Sequence, residues 1–425
     1  MKKVISLFLI VILMLGQVLP ASAAETSYPT IESGVQEIQT YGNIVLDAAP
    51  KELLEAGYSY GDILAVTMDE KTYQIPFCTN YSDVDTGSYV LRDDSDALII
   101  AINMGDFATA NGIATKNTAE DKSITWVFPE GKGIEDLVVS ISMGEKGGYH
   151  DQYLIHQLVR TNDRADYDSD QIFANFRNIA AGDLGKNTLF RSSSPVNNAL
   201  NRAAYVDDFL EANDIQTVVN LANSDTDIAG YITQENFDSP YYASLYQAGK
   251  VKAVNLSLYF EAGVFQEGLA EGLRFFAANE GPYLVHCDEG KDRAGFVSAL
   301  LACYMGASYE QVVADYMQTY INYYHLEKGS EQYIAVKNSN IDSTLRIISG
   351  SSDETDLAGV DLAAAAQRYI KSIGLSDAEC EALRSNLAKD YGKGNQAGPA
   401  TYLVALGDRL RSFFQLLLVN RDGSH

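Results

Sequence analysis

Cysteine is scarce and scattered here: Cys78, Cys287, Cys303 and Cys380 are the only four, and no two form a CxxC pair. That leaves neither a disulfide framework nor a structural zinc site legible. His150, His156 and His325 show no metal-ligand spacing either, so no metal and no cofactor is expected. Positive charge is short as well, with 31 Lys and Arg against 57 Asp and Glu and a formal net charge of -26. A field of that sign repels nucleic acid and anionic membrane surfaces, which excludes nucleic-acid partners. An anionic substrate must then be drawn in by a local positive site working against the global field. No internal repeat is visible.

What is present is enough to fold. Hydrophobic residues make up 46% and charged residues 21% of 425, ordinary for a globular protein and long enough for two domains. The start is a separate element. Lys2 and Lys3 precede an apolar run from Val4 to Val18, and Ala21-Ser22-Ala23 forms a small-residue cleavage site, so residues 1–23 read as a secretory signal peptide. The expectation is a secreted protein, placed in the extracellular or cell-wall space; an uncleaved anchor fits an apolar run of this length less well. Exported proteins usually oxidise their thiols, so a reactive free cysteine would need protection.

Residues 24–166 carry short β-rich runs (Ile44 to Leu46, Ile63 to Val66, Tyr89 to Leu91, Ala97 to Ile102, Leu137 to Ile141) separated by Gly, Asn and Asp turns. They predict a small β-rich accessory domain. Over residues 167–391 helical runs (Asn201 to Ala212, Val264 to Asn279, Arg293 to Met305, Tyr309 to Ile321) alternate with compact strands (Gln216 to Leu221, Val251 to Leu258, Tyr283 to Cys287). That predicts an α/β domain with a mostly parallel sheet, flanking helices and, from Glu331 to Leu387, a helical cap. Residues 392–425 read as a linker and an amphipathic helix from Thr401 to Val419, docked on its own domain or a partner. Lys and Arg flank that helix too thinly for stable membrane association.

Chemistry concentrates at His286-Cys287-Asp288-Glu289-Gly290-Lys291-Asp292-Arg293, between an apolar strand and a helical run. In a strand, tight loop, helix arrangement the loop amides point inward and the helix N-terminus adds positive potential, which makes an anion cradle. The spacing from Cys287 to Arg293 lets the loop wrap a tetrahedral phosphoryl group and return a guanidinium to its oxygens. The same groups predict a depressed pKa for Cys287 and a nucleophilic thiolate at neutral pH. Lys291 adds a cation, and Gly290 and Gly295 permit a positive φ or close helix packing. Asp288, Glu289, Gly290, Lys291 and Arg293 are thus the candidate phosphate-binding residues.

The pattern HCxxGKDRxG resembles the signature of the bacterial tyrosine phosphatases of broad specificity. Asn175-Phe176-Arg177-Asn178 is similar to that family's NFRD segment, Phe190-Arg191-Ser192 to its YRS segment, and Ala314-Asp315-Tyr316 continues the likeness. The resemblance implies catalysis through a phosphocysteine on Cys287, with Arg293 holding the phosphate and Asp292 supplying the leaving-group proton. Asp225, Asp227 and Glu261 are further candidate acids. His286 is expected to tune the thiolate, while Arg177 and Arg191 either position the loop or form surface salt bridges. The implied partner is a phosphorylated protein or a phosphoinositide.

Some residues depart from the family pattern. Ala294 stands where a Ser or Thr hydroxyl is usual, so slow turnover is expected. Asn220 and Ala222 replace the Asp and Arg of a DLR segment, and Asn178 replaces an Asp. Asp288 and Glu289 make the rim acidic, which favours a singly phosphorylated tyrosine. Two other functions stay open: a catalytically weak phosphate-binding pseudophosphatase and a sulfur-transfer or thiol-redox enzyme. A reversible disulfide between Cys287 and Cys303 is one way the thiol could be protected. In the first region, Tyr41 to Val45, Tyr81 to Gly87 and Ala97 to Asn103 look like the C-terminal β-barrel of the adenosylmethionine hydroxide adenosyltransferases, implying a reused β domain for substrate or surface binding.

Overall fold

The computed structural model describes residues 27–392, so the leader reading and the C-terminal helix reading lie outside the described residues. The chain forms two compact units, one from residues 27–81 with 86–146 and one from 82–85 with 147–392.

The first unit is a closed seven-stranded barrel. Its strands are β1 (Ile31–Ile38), β2 (Ile44–Leu46), β3 (Ile63–Met68), β4 (Lys71–Cys78), β5 (Tyr89–Asp93), β6 (Leu98–Ile102) and β9 (Val138–Glu145). They close in the order β1-β2-β6-β5-β4-β3-β9, while β7 (Thr115–Thr118) and β8 (Ile124–Val127) form a separate ribbon. Closure leaves no edge strand unpaired in the barrel. In β3 the pleat puts Leu64, Val66 and Met68 into the core and leaves Ile63, Ala65 and Thr67 half-buried.

The second unit is built on a five-stranded sheet in the order β10 (Arg177–Asn178), β11 (Leu189–Ser192), β14 (Tyr283–His286), β12 (Thr217–Asn220) and β13 (Val251–Ala253). All neighbours are parallel except β10 and β11. Both faces are covered, and the alternation shows how. Leu189, Val219, Tyr283 and Val285 face a core with helices Gly263–Ala278 and Asp292–Tyr304, while Phe190, Val218 and Leu284 face one with helices Ala203–Ala212 and Pro240–Gln247. Truncating any of these buried side chains to alanine is expected to cost about 2–5 kcal/mol.

Helix Asp292–Tyr304 is buried continuously from Ala294 to Tyr304. Gly295 lets it lie close, since a Cβ there would meet the Tyr316 ring at 2.6 Å. Helices Leu362–Ser372 and Asp377–Leu387 share the same core, forming the helical layer expected after Glu331. One expected strand is shorter than its pattern. Of Val251 to Leu258 only Val251–Ala253 is strand, because Asn255 takes φ 42° and turns the chain off the sheet edge.

Candidate active site

Strand β14 lies between β11 and β12, and His286 is in register with both Ser192 and Asn220. Cys287 therefore leaves the sheet at its carboxyl edge between two buried neighbours, where crevices in parallel sheets form. It is 3% exposed. Gly290 has φ +67°, and a Cβ there would meet the Ser192 carbonyl oxygen at 2.3 Å, so the loop can pass this point only as glycine.

The loop is held from behind by buried donors. Arg191, fully buried, donates Nη2 to the carbonyls of Gly290 (2.7 Å) and Lys291 (3.1 Å) and Nη1 to Asp315 Oδ2 (2.7 Å). Tyr323 Oη donates to the Glu289 carbonyl at 2.8 Å, and Asn175 Nδ2 reaches the Gly290 carbonyl at 3.2 Å. A planar trans peptide points its N–H opposite its C=O, so tying these carbonyls outward turns the N–H groups of Gly290, Lys291 and Asp292 inward.

Arg177 braces the same arrangement. It donates Nε to Asp315 Oδ1 (2.8 Å), Nη1 to Asn175 Oδ1 (2.7 Å) and Nη2 to Thr319 Oγ1 (3.0 Å). Burial pulls this guanidinium down to about 10 against the opposing pull of Asp315. Burial pushes the Asp315 carboxyl up, yet Arg177 and Arg191 outweigh it and hold the group below its ordinary value. Neither arginine is a surface salt bridge.

At the mouth, Arg293 donates Nη2 to Asp288 Oδ2 (2.6 Å) and Nη1 to the Leu256 carbonyl (3.1 Å), while its buried Nε has no hydrogen-bond partner among the described residues. Asp288 Oδ1 accepts from Asn197 Nδ2 at 3.1 Å. Glu289 is gripped by Arg160 and by Lys291, whose Nζ lies 3.1 Å from Oε2. Burial pushes Glu289 up, but these two cations bring it below its ordinary value. Burial lowers Lys291, and Asp292 and Glu289 more than restore it, so it stays charged. Asp292 sits 3.9 Å from Lys291, yet burial dominates and its carboxyl is raised. It borders a pocket of about 290 Å³ with Leu258, Phe260, Tyr316 and Asn340. A carboxyl that burial makes hold its proton more tightly than usual, beside a pocket, is suited to donate one.

Three expectations change. The Cys287 thiol lies above its ordinary value: burial pushes it up, Arg293 and the Ala294 N–H pull it back, and Asp292 and Asp288 oppose them. The guanidinium that was expected to lower it has its charge matched by Asp288. The disulfide with Cys303 is ruled out by the helix. Cys303 lies eleven residues beyond Asp292 on helix Asp292–Tyr304, roughly 16 Å along its axis. Asp227 is no free acid, since it caps its helix through Ser224 N (2.9 Å) and Oγ (2.6 Å), bonds that hold it low. Asp225 takes a hydroxyl from Tyr246 at 3.3 Å, and Glu261 is exposed on the segment after Leu256.

Burial pulls His286 down to about 4, so it is neutral at pH 7; Nδ1 lies 3.4 Å from the Cys287 carbonyl oxygen. Ala294 is fully buried, and its N–H faces the thiol. Buried Asn220 takes the N–H groups of Ala222 (2.9 Å) and Asn223 (3.0 Å) and shapes the turn after β12. Asn197, Arg160 and Tyr323 went unnoticed in the sequence. Only Tyr323 had a signal, a Tyr316, Tyr320, Tyr323 stripe at helical spacing.

Residues 173–389 match the model of the tyrosine phosphatase family, and residues 34–120 match the SAM hydroxide adenosyltransferase C-terminal domain. No curated protein matches the chain. Among solved structures, an uncharacterized conserved protein from Thermotoga maritima is 19% identical over 27% of this chain and 36% of its own, with a TM-score of 0.20. The chain thus spans about a third of that structure's length. The core catalytic domain of the PP-IP phosphatase SIW14 from S. cerevisiae, solved with citrate, is 18% identical over 42% of this chain and 92% of its own, with a TM-score of 0.24. A second Siw14 catalytic core is also 18% identical, over 42% of this chain and 90% of its own, with a TM-score of 0.25.

Proposed function

The chain belongs to the tyrosine phosphatase family, and we propose that this cysteine phosphatase hydrolyses singly phosphorylated tyrosine in proteins through a phosphocysteine on Cys287. The observation that carries the reading is the loop itself: a buried thiol followed by carbonyls at Glu289, Gly290 and Lys291 tied to Tyr323, Asn175 and Arg191, and closed by Arg293, whose buried Nε has no hydrogen-bond partner among the described residues. Such an edge takes tetrahedral phosphate oxygens, and a buried donor left unmatched favours an acceptor there.

In the first step the Cys287 thiolate attacks phosphorus and the P–O bond to the substrate breaks. Asp292 gives its proton to the departing oxygen. Water then attacks the phosphocysteine, the S–P bond breaks, and Asp292 takes the proton back, releasing inorganic phosphate and the thiolate. Arg293 and the loop amides hold the equatorial oxygens throughout. Ala294 supplies an N–H but no hydroxyl to the departing sulfur, so the second step is the slow one.

An acidic rim and a net charge of -26 support a singly phosphorylated substrate. The Lys2 and Lys3 start with its apolar run supports export, which puts the substrate outside the producing cell. Phosphate release from a phosphotyrosine peptide, a phosphoserine peptide and a phosphoinositide tests the ranking. Turnover highest on phosphotyrosine and lost in Cys287→Ser is expected; equal loss-free turnover in that variant sinks the mechanism. Ala294 and the raised thiol favour a second reading, a weak phosphate-binding pseudophosphatase, which predicts phosphate binding without turnover.

A further inference from the structure

The two carboxylates that follow Cys287 are not equivalent. Glu289 points at Arg160 and Lys291, so its charge is matched away from the guanidinium that closes the loop. Asp288 does the opposite. Its Oδ2 accepts from Arg293 Nη2 at 2.6 Å, the arm that with Nε forms the oxyanion-binding edge. Arg293 has a separate anchor, since Nη1 donates to the Leu256 carbonyl at 3.1 Å, and it is only 16% exposed at its side chain. Asp288 is 37% exposed and tethered through Oδ1 to Asn197 at 3.1 Å. Of the pair, the carboxylate has room to move and the arginine does not.

Resting on the phosphatase reading above, we propose that Asp288 is a specificity-determining residue that occupies half of the Arg293 fork and must swing out, or share it, before a phosphoryl group is seated. A carboxylate left within a few ångströms of the bound phosphate opposes each additional negative charge on the ligand. The site thereby trades phosphate affinity for discrimination against pyrophosphorylated and multiply phosphorylated groups. Asp288 acts on the ligand through Arg293 and takes no part in bond making.

The test uses the full-length Cys287→Ser protein, which cannot turn over, with and without Asp288→Asn, and reads binding of inorganic phosphate and pyrophosphate by calorimetry. The asparagine keeps an acceptor for Asn197. Asp288→Asn is expected to tighten phosphate roughly tenfold and pyrophosphate by more. Asn197→Ala, which unties Oδ1 and also removes the acceptor for the Ala199 N–H, is expected to tighten phosphate about two- to threefold, and melting curves confirm that both variants fold. Equal or weaker phosphate binding in both variants overturns the role of Asp288. A gain no larger for pyrophosphate than for phosphate overturns the discrimination. Failure of every protein to bind phosphate overturns the phosphatase reading, and the proposal with it.

Discussion

The loop touches two arginine–aspartate arrangements of nearly equal geometry, and they do different work. Behind it, Asp315 receives Arg177 at 2.8 Å and Arg191 at 2.7 Å. At its mouth, Asp288 receives Arg293 at 2.6 Å. What separates them is surroundings. Arg191 is fully buried and spends its remaining arm on loop carbonyls, so the rear cluster is a fixed frame. Both Arg191 and Arg293 leave Nε without a hydrogen-bond partner among the described residues, but Arg293 meets a carboxylate more than a third exposed where Asp315 is 16% exposed, so the front pair can exchange partners. An ion pair's length says little about its role; what else its members touch says more.

The sharpest way to separate the two is to weaken each. Arg293→Lys is expected to lower kcat/KM about 10³-fold, because a point charge replaces a fork, with the melting temperature unchanged. Asp315→Asn strands two cations behind the loop and is expected to cost roughly 3–5 kcal/mol in denaturant unfolding, with kcat falling as the carbonyls loosen. If both substitutions shift melting equally, the front pair is structural too and the contrast fails.

Smaller effects sharpen the picture around the loop. Asp292→Asn is expected to lower kcat about 10²-fold on phosphotyrosine and less on an aryl phosphate with a better leaving group. The sign of the pH effect follows from the raised Asp292 and Cys287: activity needs the first protonated and the second ionised. Removing the acid leaves only the thiol to titrate, so the pH optimum moves to higher pH. An unmoved optimum points to another donor. The smallest effect lies away from the site. Burial pushes the Asp207 carboxyl up to about 7, although it accepts N–H bonds from Tyr242 (2.7 Å) and Tyr241 (3.0 Å). Its ordinary value is about 4, so the native state holds a proton that the unfolded chain releases. The stability this gives is complete below about pH 4 and lost as pH rises through about 7, and Asp207→Asn is expected to flatten that slope in unfolding experiments.

Local pattern carried most of the fold. The adjacent apolar pairs Val218 with Val219 and Leu284 with Val285 fit a two-faced sheet, and β2, β3, β5, β6 and β9 of the barrel were legible while β1 and β4 were not. The end of β13 did not show, because a left-handed asparagine stops a strand without changing its hydrophobicity. Within the site, Cys287, Gly290 and Arg293 were legible because they share one loop and one spacing. The partnerships were not: Arg191 with Asp315, and Tyr323 with Glu289, join residues far apart in sequence. The raised thiol was not legible either: its burial, the largest effect on it, comes from packing by residues far apart in sequence, and Asp288 adds a smaller push in the same direction.

Acid quenching of the wild-type protein during turnover of a phosphotyrosine peptide, followed by digestion and mass spectrometry, locates the phosphoryl group directly. The slow second step set by Ala294 is expected to let phosphate accumulate on the peptide bearing Cys287, and Ala294→Thr to reduce that population. Phosphate recovered on a different residue, or turnover with no phosphorylated enzyme at any quench time and no Cys287 dependence, would contradict a phosphocysteine mechanism.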